Sequence, residues 1–216
     1  MRLCLISDTH NELSKIDLPK ADILIHAGDA TISGTLPEIV KFVEDIQHQS
    51  HKFDQIIFIA GNHDWLFEKR PKYAQSLLAK NIIYLQDSSV EIEGLKFYGS
   101  PWQPRFFDWA FNLNRGSELA EKWKRIPDDI DVLITHGPPN GILDAVSRGD
   151  WIENTGCEEL ITRIEEIAAF GKLKIHAFGH IHCGYGEAEK FGIRFVNASN
   201  CDEDYLPTNP PIVVDL

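Results

Sequence analysis

The chain has 216 residues, of which 43% are hydrophobic and 25% are charged, and its formal net charge at pH 7 is −12. This composition is typical of a globular protein, and the length predicts a single domain, residues 1–216, that buries its own core. The acidic balance argues against a nucleic-acid duplex or an anionic membrane as the main partner. No run approaches the roughly 18 apolar residues of a membrane span.

The amino terminus and the cysteines indicate a cytoplasmic protein. The opening MRLCLISDTH lacks a basic stretch followed by a long apolar run, so we expect no signal peptide. The four cysteines are scattered without CxxC spacing, which favours reduced thiols. They are Cys4, Cys157, Cys183 and Cys201.

Apolar runs of strand length recur along the chain and predict a layered α/β protein. The first few are almost continuously hydrophobic, which is typical of strands buried on both faces. The predicted strands cover 3–6, 23–27, 55–60, 131–135, 173–178 and 192–196.

Helices are predicted between these strands. Thr35-Leu-Pro-Glu38 has the pattern of a capping box and opens an amphipathic segment. Thr155-Gly-Cys-Glu158 opens a second one, for which Gly171 is the predicted stop.

The middle and the end of the chain predict further strands. Residues 88–100, SSVEIEGLKFYGS, alternate on both sides of Glu93-Gly94 and predict a hairpin. A hairpin breaks the simple alternation of strand and helix, so we expect a mixed sheet or two packed sheets. The terminal PIVVDL predicts an edge strand.

Polar side chains follow five of the predicted strands, usually beside glycine. In order along the chain they are Asp8 and His10, then Asp29, then Asn62, His63 and Asp64, then His136, and finally His180 and His182. Ligand sites of α/β sheets gather at the carboxyl ends of strands, so these turns can converge. Residues i and i+2 of an extended segment face the same way, which would aim Asp8 with His10, and His180 with His182, at one site.

The donor types predict a metal centre. Carboxylate, amide and imidazole donors together suit manganese, iron, zinc, cobalt or nickel better than calcium or magnesium. Seven candidate ligands exceed the needs of one ion, whereas two ions sharing a carboxylate would use them all. Each residue has a structural alternative: an Asp could cap a helix, and Asn62 could serve a turn. Four histidines lack the strand-end context and are interpreted as structural: His26, His48, His51 and His176.

These turns resemble, in the same order, the motif blocks of the calcineurin-like metallophosphoesterases: D-x-H, G-D, G-N-H-[DE], H-G and G-H-x-H. The match spans Asp8 to His182. The stretches GSPWQPRFFDWAFNLNRG and PTNPPIVVDL further resemble a subgroup of metallophosphoesterase-domain-containing proteins of animal brain with bacterial relatives. The resemblance implies an α/β sandwich of two packed mixed β-sheets flanked by helices.

The resemblance also implies two divalent metal ions, most often manganese in vitro, bridged by Asp29. The first ion would be held by Asp8, His10 and His182, and the second by Asn62, His136 and His180. A hydroxide shared by the two ions would attack phosphorus, with Asn62 and His63 stabilising the developing charge. His63 would lie near the leaving group with Asp64 as its orienting partner; a purely structural role for His63 is the alternative.

The stretch 100–116 is rich in aromatic residues and arginine. Trp102 could stack on a base and Arg115 could meet a phosphate, whereas most of the other aromatics are expected to plug a loop onto the core. Asn112 and Asn114 are weaker candidates. Together with the resemblance, this predicts a phosphodiesterase for nucleotides or similar small diesters, 2′,3′- and 3′,5′-cyclic nucleotides included.

Two alternative functions stay open. One is a nucleotide-binding or scaffold protein with low turnover, because brain proteins of the subgroup can carry glycine at the position of His180, with a weakened second metal site and retained nucleotide. The histidine kept here favours a working enzyme. The other is a phosphomonoesterase or protein phosphatase of the same fold. The predicted partner is a small-molecule phosphodiester or nucleotide, with no nucleic-acid duplex and no membrane, and the oligomeric state is left open.

Overall fold

Three buried clusters of apolar side chains define the layers of the computed structural model, which describes residues 1–216. One cluster lies between two β-sheets, the second between the first sheet and the helices outside it, and the third between the second sheet and its own helices. The order helix, sheet, sheet, helix confirms the predicted α/β sandwich.

The strands are short. In chain order they are β1 (Arg2–Ile6), β2 (Ile23–His26), β3 (Gln55–Phe58), β4 (Ile82–Tyr84), β5 (Ser88–Ile92), β6 (Leu95–Ser100), β7 (Gln103–Pro104), β8 (Asn112–Leu113), β9 (Val132–Thr135), β10 (Ala145–Ser147), β11 (Ile152–Asn154), β12 (Ile175–Phe178), β13 (Gly186–Lys190), β14 (Ile193–Asn197) and β15 (Ile212–Asp215).

The helices lie on the outside of the two sheets. They are α1 (Leu36–Gln49), α2 (Trp65–Lys69), α3 (Pro71–Leu77), α4 (Ser117–Trp123) and α5 (Glu158–Ala168), with single 3₁₀ turns at Leu13–Lys15, Ser50–Lys52 and His182–Gly184. None of these helices has the length and apolar character that crossing a bilayer demands.

Both large sheets are mixed. The first has the order β15-β1-β2-β3-β4, in which only the edge strand β15 is antiparallel. The second has the order β13-β14-β12-β9-β6-β5, with a parallel centre and antiparallel edges β13 and β5. The carboxyl ends of β1, β2 and β3 in one sheet and of β9 and β12 in the other are therefore available to a common site.

Side-chain alternation explains why the first strand is apolar throughout. Leu3 and Leu5 face the second sheet, while Cys4 and Ile6 face the helices. A strand between two cores has no solvent face, so its sequence shows no polar alternation.

Three of the local predictions are confirmed and one is wrong. The capping box at Thr35 and Glu38 is present, the hairpin turns at Glu93-Gly94, and β15 is the predicted edge strand. The predicted start of α5 is wrong, because its N-cap is Cys157 and the Thr155 hydroxyl donates to the Asp144 carbonyl instead.

Candidate metal centre

The strand ends turn sharply before they present their polar side chains. Asp8, His10, Asp29 and His180 have φ of 51°, 40°, 56° and 70°. This left-handed backbone costs a residue other than glycine roughly 1–2 kcal/mol and persists only where surrounding contacts hold it. The prediction that an extended backbone aims these residues is therefore wrong, because tight turns direct them inward.

Glycines make room for these turns. A Cβ on Gly28, whose φ is +101°, would lie 2.6 Å from His136 Nδ1. A Cβ on Gly179 would overlap the Asp8 carboxylate. The backbone must approach the polar groups this closely, and only glycine permits it.

Asp8 is fully buried with one oxygen left over. Its Oδ2 accepts hydrogen bonds from the His180 backbone N–H and the Ser199 hydroxyl, both at 2.9 Å. Its Oδ1 has no hydrogen-bond partner and lies 3.4 Å from His182 Nε2 and 3.9 Å from His10 Nε2. Buried polar atoms are normally paired, so an orphaned carboxylate oxygen between two imidazoles fits a cation.

Asp29 lies at the middle of the cluster. Its Oδ1 accepts the His63 backbone N–H at 2.8 Å. Its Oδ2 lies 3.3 Å from His136 Nε2, and 3.9 Å from Nε2 of both His10 and His63. Asn62 adds its amide oxygen 2.9 Å from His136 Nε2. One carboxylate therefore reaches the donors of two neighbouring positions.

The imidazoles are oriented by the backbone. Nδ1 of His10, His136 and His182 lies 3.0, 3.0 and 2.8 Å from the carbonyls of Thr31, Ala27 and Asp202. A carbonyl only accepts, so each Nδ1 carries a hydrogen and each Nε2 faces the site. This is the arrangement typical of histidine ligands.

The electrostatics of the site favour bound cations. Burial lowers the pKa of His10 to about 4 and that of His180 to about 3. Burial acts in the same direction on His136 and His182, but neighbouring Asp29 and Asp8 outweigh it and raise both pKa values to about 9. Burial would raise the pKa of Asp8 and Asp29, yet the surrounding imidazoles hold both below the usual range. The two carboxylates therefore stay charged.

The donors form overlapping groups that could hold metal ions. Within each group the ligand atoms lie within 4.8 Å of one another; the groups are Asp8, His10 and His182; Asp29, His136 and His180; and His10, Asp29 and His63. The first two are the sets implied by the sequence resemblance, with the Asn62 amide beside the second. The residues fit a pair of divalent ions with Asp29 between them.

His63 and Asp64 do not form the predicted pair. His63 Nδ1 donates to the Ile32 carbonyl at 2.6 Å, and its ring stacks on Trp109 with centroids 4.2 Å apart. The Asp64 carboxylate instead accepts the backbone N–H groups of Ala30, Thr31 and Gly61. Asp64 thus ties together the turns after β2 and β3, because its side chain points into the protein rather than to the imidazole.

Trp102 and Arg115, the two predicted substrate contacts of the stretch 100–116, lie in different surroundings. Trp102 Nε1 donates to the Asp87 carboxylate at 3.0 Å, and Lys122 lies 3.8 Å above its ring, so this indole is fixed against the cores. Arg115 lies on the wall of a neighbouring pocket. Phe111 is buried as a loop plug, in line with the prediction for most aromatics of this stretch.

A pocket of about 390 Å³ opens above the metal-binding groups. Its aromatic rim consists of Phe106, Phe107, Trp109 and Tyr205. The Tyr205 ring lies 4.7 Å from that of His10. No motif pointed to Tyr205, whereas Ser199 could have been found, because it follows the parallel strand β14 as the other site residues follow theirs.

Two of the histidines interpreted as structural are indeed buried inside strands. His26 Nε2 lies 2.8 Å from the Thr9 hydroxyl, and His176 Nε2 lies 2.8 Å from that of Thr135. Neither histidine belongs to a group of side chains that could hold a metal ion.

Comparisons with known proteins agree with this geometry. The family model described as "Calcineurin-like phosphoesterase" matches residues 1–184. "Metallophosphoesterase domain-containing protein 1" of Homo sapiens is 42% identical over 238 aligned positions, covering 100% of this chain and 71% of the relative. A UPF0046 protein of Caenorhabditis elegans is 35% identical over 226 positions, covering 99% of this chain and 74% of the relative. Among solved structures, "GAP50 the anchor in the inner membrane complex of Plasmodium" has the same fold at a TM-score of 0.51 and 13% identity, over 93% of this chain and 71% of that one.

Proposed function

We propose that this chain, which belongs to the calcineurin-like phosphoesterase family, is a phosphodiesterase that hydrolyses nucleotides, cyclic nucleotides or similar small diesters with two divalent ions bound. Family membership and the clustered donors support metal-dependent phosphoester hydrolysis. The proposal goes beyond this in three respects: the substrate is a diester, it is a nucleotide or a similar small molecule, and manganese is a working metal.

The proposal depends chiefly on Asp29, whose Oδ2 is approached by the Nε2 atoms of three histidines between 3.3 and 3.9 Å away. Two bound ions would supply an activated water at neutral pH and a clamp for the phosphoryl oxygens. Asp29 would hold both ions, while Asp8 and Asn62 each complete one set. The unpaired Oδ1 of Asp8 supports a role for Asp8 as a ligand of the first ion. Its imidazole neighbours, His10 and His182, belong to the same ligand set.

The surroundings of His63 support a role in proton transfer to the leaving group. The Ile32 carbonyl holds Nδ1–H and Trp109 supports the ring face, so Nε2 is directed into the pocket. In its protonated form the imidazole can keep the bond to Ile32 and donate Nε2–H to the departing oxygen.

The aromatic rim supports a nucleotide substrate. Phe107 is 77% exposed at the pocket mouth, and its ring lies edge-on to that of Phe106 with centroids 4.4 Å apart. A base could stack on it or on the neighbouring rings. The pocket volume of about 390 Å³ lies in the range of small-molecule sites.

The first test is hydrolysis of bis-p-nitrophenyl phosphate and of p-nitrophenyl phosphate, with added Mn²⁺ and with chelator. We expect metal-dependent turnover that favours the diester, and its loss in Asp29→Asn. Asp131→Asn is the matched control, because Asp131 is also buried and accepts a backbone hydrogen bond, from Lys96, but precedes β9, whereas the site lies at the carboxyl end of that strand.

The outcomes separate the candidate functions. Preference for the monoester would make the protein a phosphomonoesterase. Absence of turnover in protein that holds two metal ions and binds nucleotide would make it a binding protein and overturn the proposal.

A further inference from the structure

A second pocket lies beside the metal centre, and its lining is rich in arginine. It has a volume of about 370 Å³ and shares four lining residues with the first pocket: Phe106, Val146, His180 and Ile181. Three arginines line it, together with one acidic residue, Glu153. Glu158 and Glu153 are ion-paired with Arg115 and Arg148, so Arg105 carries the uncompensated positive charge of this pocket, in a chain of net charge −12.

One of the three arginines is structural. Arg115 donates to the carbonyls of Thr155 and Gly156 and to the Glu158 carboxylate, at 2.7 to 2.8 Å. These bonds hold the loop before α5 in place and use three of the five guanidinium N–H donors. Arg115 therefore serves mainly to build the wall of the pocket.

The other two arginines keep their terminal N–H donors free. Arg105 is bound only through Nε, to the Asn114 amide oxygen at 3.2 Å. Arg148 is likewise bound only through Nε, to Glu153 at 2.8 Å. The terminal amino groups of both guanidinium groups make no hydrogen bond within the protein. Guanidinium groups oriented through Nε in this way are suited to bidentate contact with phosphate.

We propose that Arg105 and Arg148 bind a second phosphate group of the substrate while the scissile diester lies on the metal centre. This inference rests on the proposed phosphodiesterase function and deepens it. The substrate class becomes a nucleotide diester that carries an additional phosphate monoester, such as one phosphorylated at the other end of its ribose. His180 would lie between the two phosphates, because it belongs to the walls of both pockets.

The test uses two substrates that differ by one group. They are thymidine 5′-(p-nitrophenyl phosphate) and the same compound with a 3′-phosphate. Charge-assisted hydrogen bonds predict that the 3′-phosphate lowers KM by roughly tenfold or more. The quantity compared is the ratio of the two KM values, without and with the 3′-phosphate. Arg105→Gln and Arg148→Gln should each lower this ratio, and the double variant should bring it to about one.

Arg194→Gln is the matched control. Arg194 of β14 also bonds through Nε to a glutamate of the adjacent strand, Glu187, but lines neither pocket. It should keep the full ratio. A ratio near one in the unmodified protein, or a loss equal in Arg194→Gln, overturns the arginine pocket while leaving the phosphodiesterase intact.

A binding measurement keeps the two proposals apart. Calorimetry should show that thymidine 3′,5′-bisphosphate binds roughly tenfold tighter than thymidine 5′-phosphate, and that the arginine variants lose the difference. Should the protein hydrolyse no diester at all, the proposed function fails, yet this comparison still decides whether the pocket takes a second phosphate. Thermal unfolding of each variant verifies that the fold is kept.

Discussion

The metal centre and its aromatic rim are built in opposite ways. The metal floor, defined as the seven predicted ligands Asp8, His10, Asp29, Asn62, His136, His180 and His182, is almost entirely buried and is held by turns at strand ends. The rim comes from exposed loops, and Phe107 is one of the most exposed large apolar residues of the chain. The difference suggests that the reaction is set by the rigid sheets and the choice of substrate by the loops.

The largest effect is expected from removing a floor ligand. His180→Gly should lose one of two bound metal ions and lower turnover by about 10³-fold or more, because one ion is worth several kcal/mol of charge stabilisation. Metal content by mass spectrometry checks it. His176→Gln, a change in a buried histidine outside the site, should keep both ions; a His180→Gly protein with full metal content would break the division between floor and rim.

His63→Ala should lower turnover by roughly 10² to 10⁴ while both ions stay bound. The effect should shrink with p-nitrophenolate as leaving group, since that anion departs without a proton. Comparing the turnover of a p-nitrophenyl ester with that of an alkyl ester checks whether His63 protonates the leaving group. Equal losses for both leaving groups would leave His63 a structural residue.

Asp64 supports the floor without belonging to it, so its effect should be intermediate. Burial and the charge of Asp29 raise the pKa of Asp64 to about 6, while its hydrogen bonds to the loops act against that rise. Asp64→Asn should weaken metal affinity by roughly 10- to 100-fold, as loss of groups that orient ligands does. Metal titration monitors this, and Asp144→Asn, a buried carboxylate that accepts the Gly141 and Gly156 amides, should leave the affinity unchanged.

The smallest effect is expected at the rim. Phe107→Ala should raise KM for a nucleotide diester roughly 2- to 10-fold, the worth of one aromatic contact, without changing metal content. Bis-p-nitrophenyl phosphate serves as the comparison substrate. A drop in metal content here would erase the contrast between the two regions.

The contrast also explains what the sequence could predict. Asp8, Asp29 and His136 follow apolar runs in short motifs, so both the strands and the convergence of their ends were predicted, and the family is confirmed. The rim carries no periodicity: Tyr205 arrives from an irregular loop, and its approach to His10 depends on the packing of two sheets.

Some details escaped for local reasons. The left-handed turns at Asp8 and His180 follow from hydrogen bonds to residues distant in the sequence, which no local pattern encodes. Thr155 has the composition of a cap, but the Asp144 carbonyl binds its hydroxyl. Whether the chain is one domain, which metals it binds and what it hydrolyses stay predictions.

The seven residues of the floor come from both sheets, and Ser199 of the second sheet holds Asp8 of the first. Ions bound there would cross-link the two sheets. The free energy of unfolding would therefore depend on the concentration of free metal ions. At 100 times the dissociation constant a single such ligand adds about 2.7 kcal/mol to the free energy of unfolding. The lifetime of this protein against proteolysis would then increase with the concentration of free divalent metal ions.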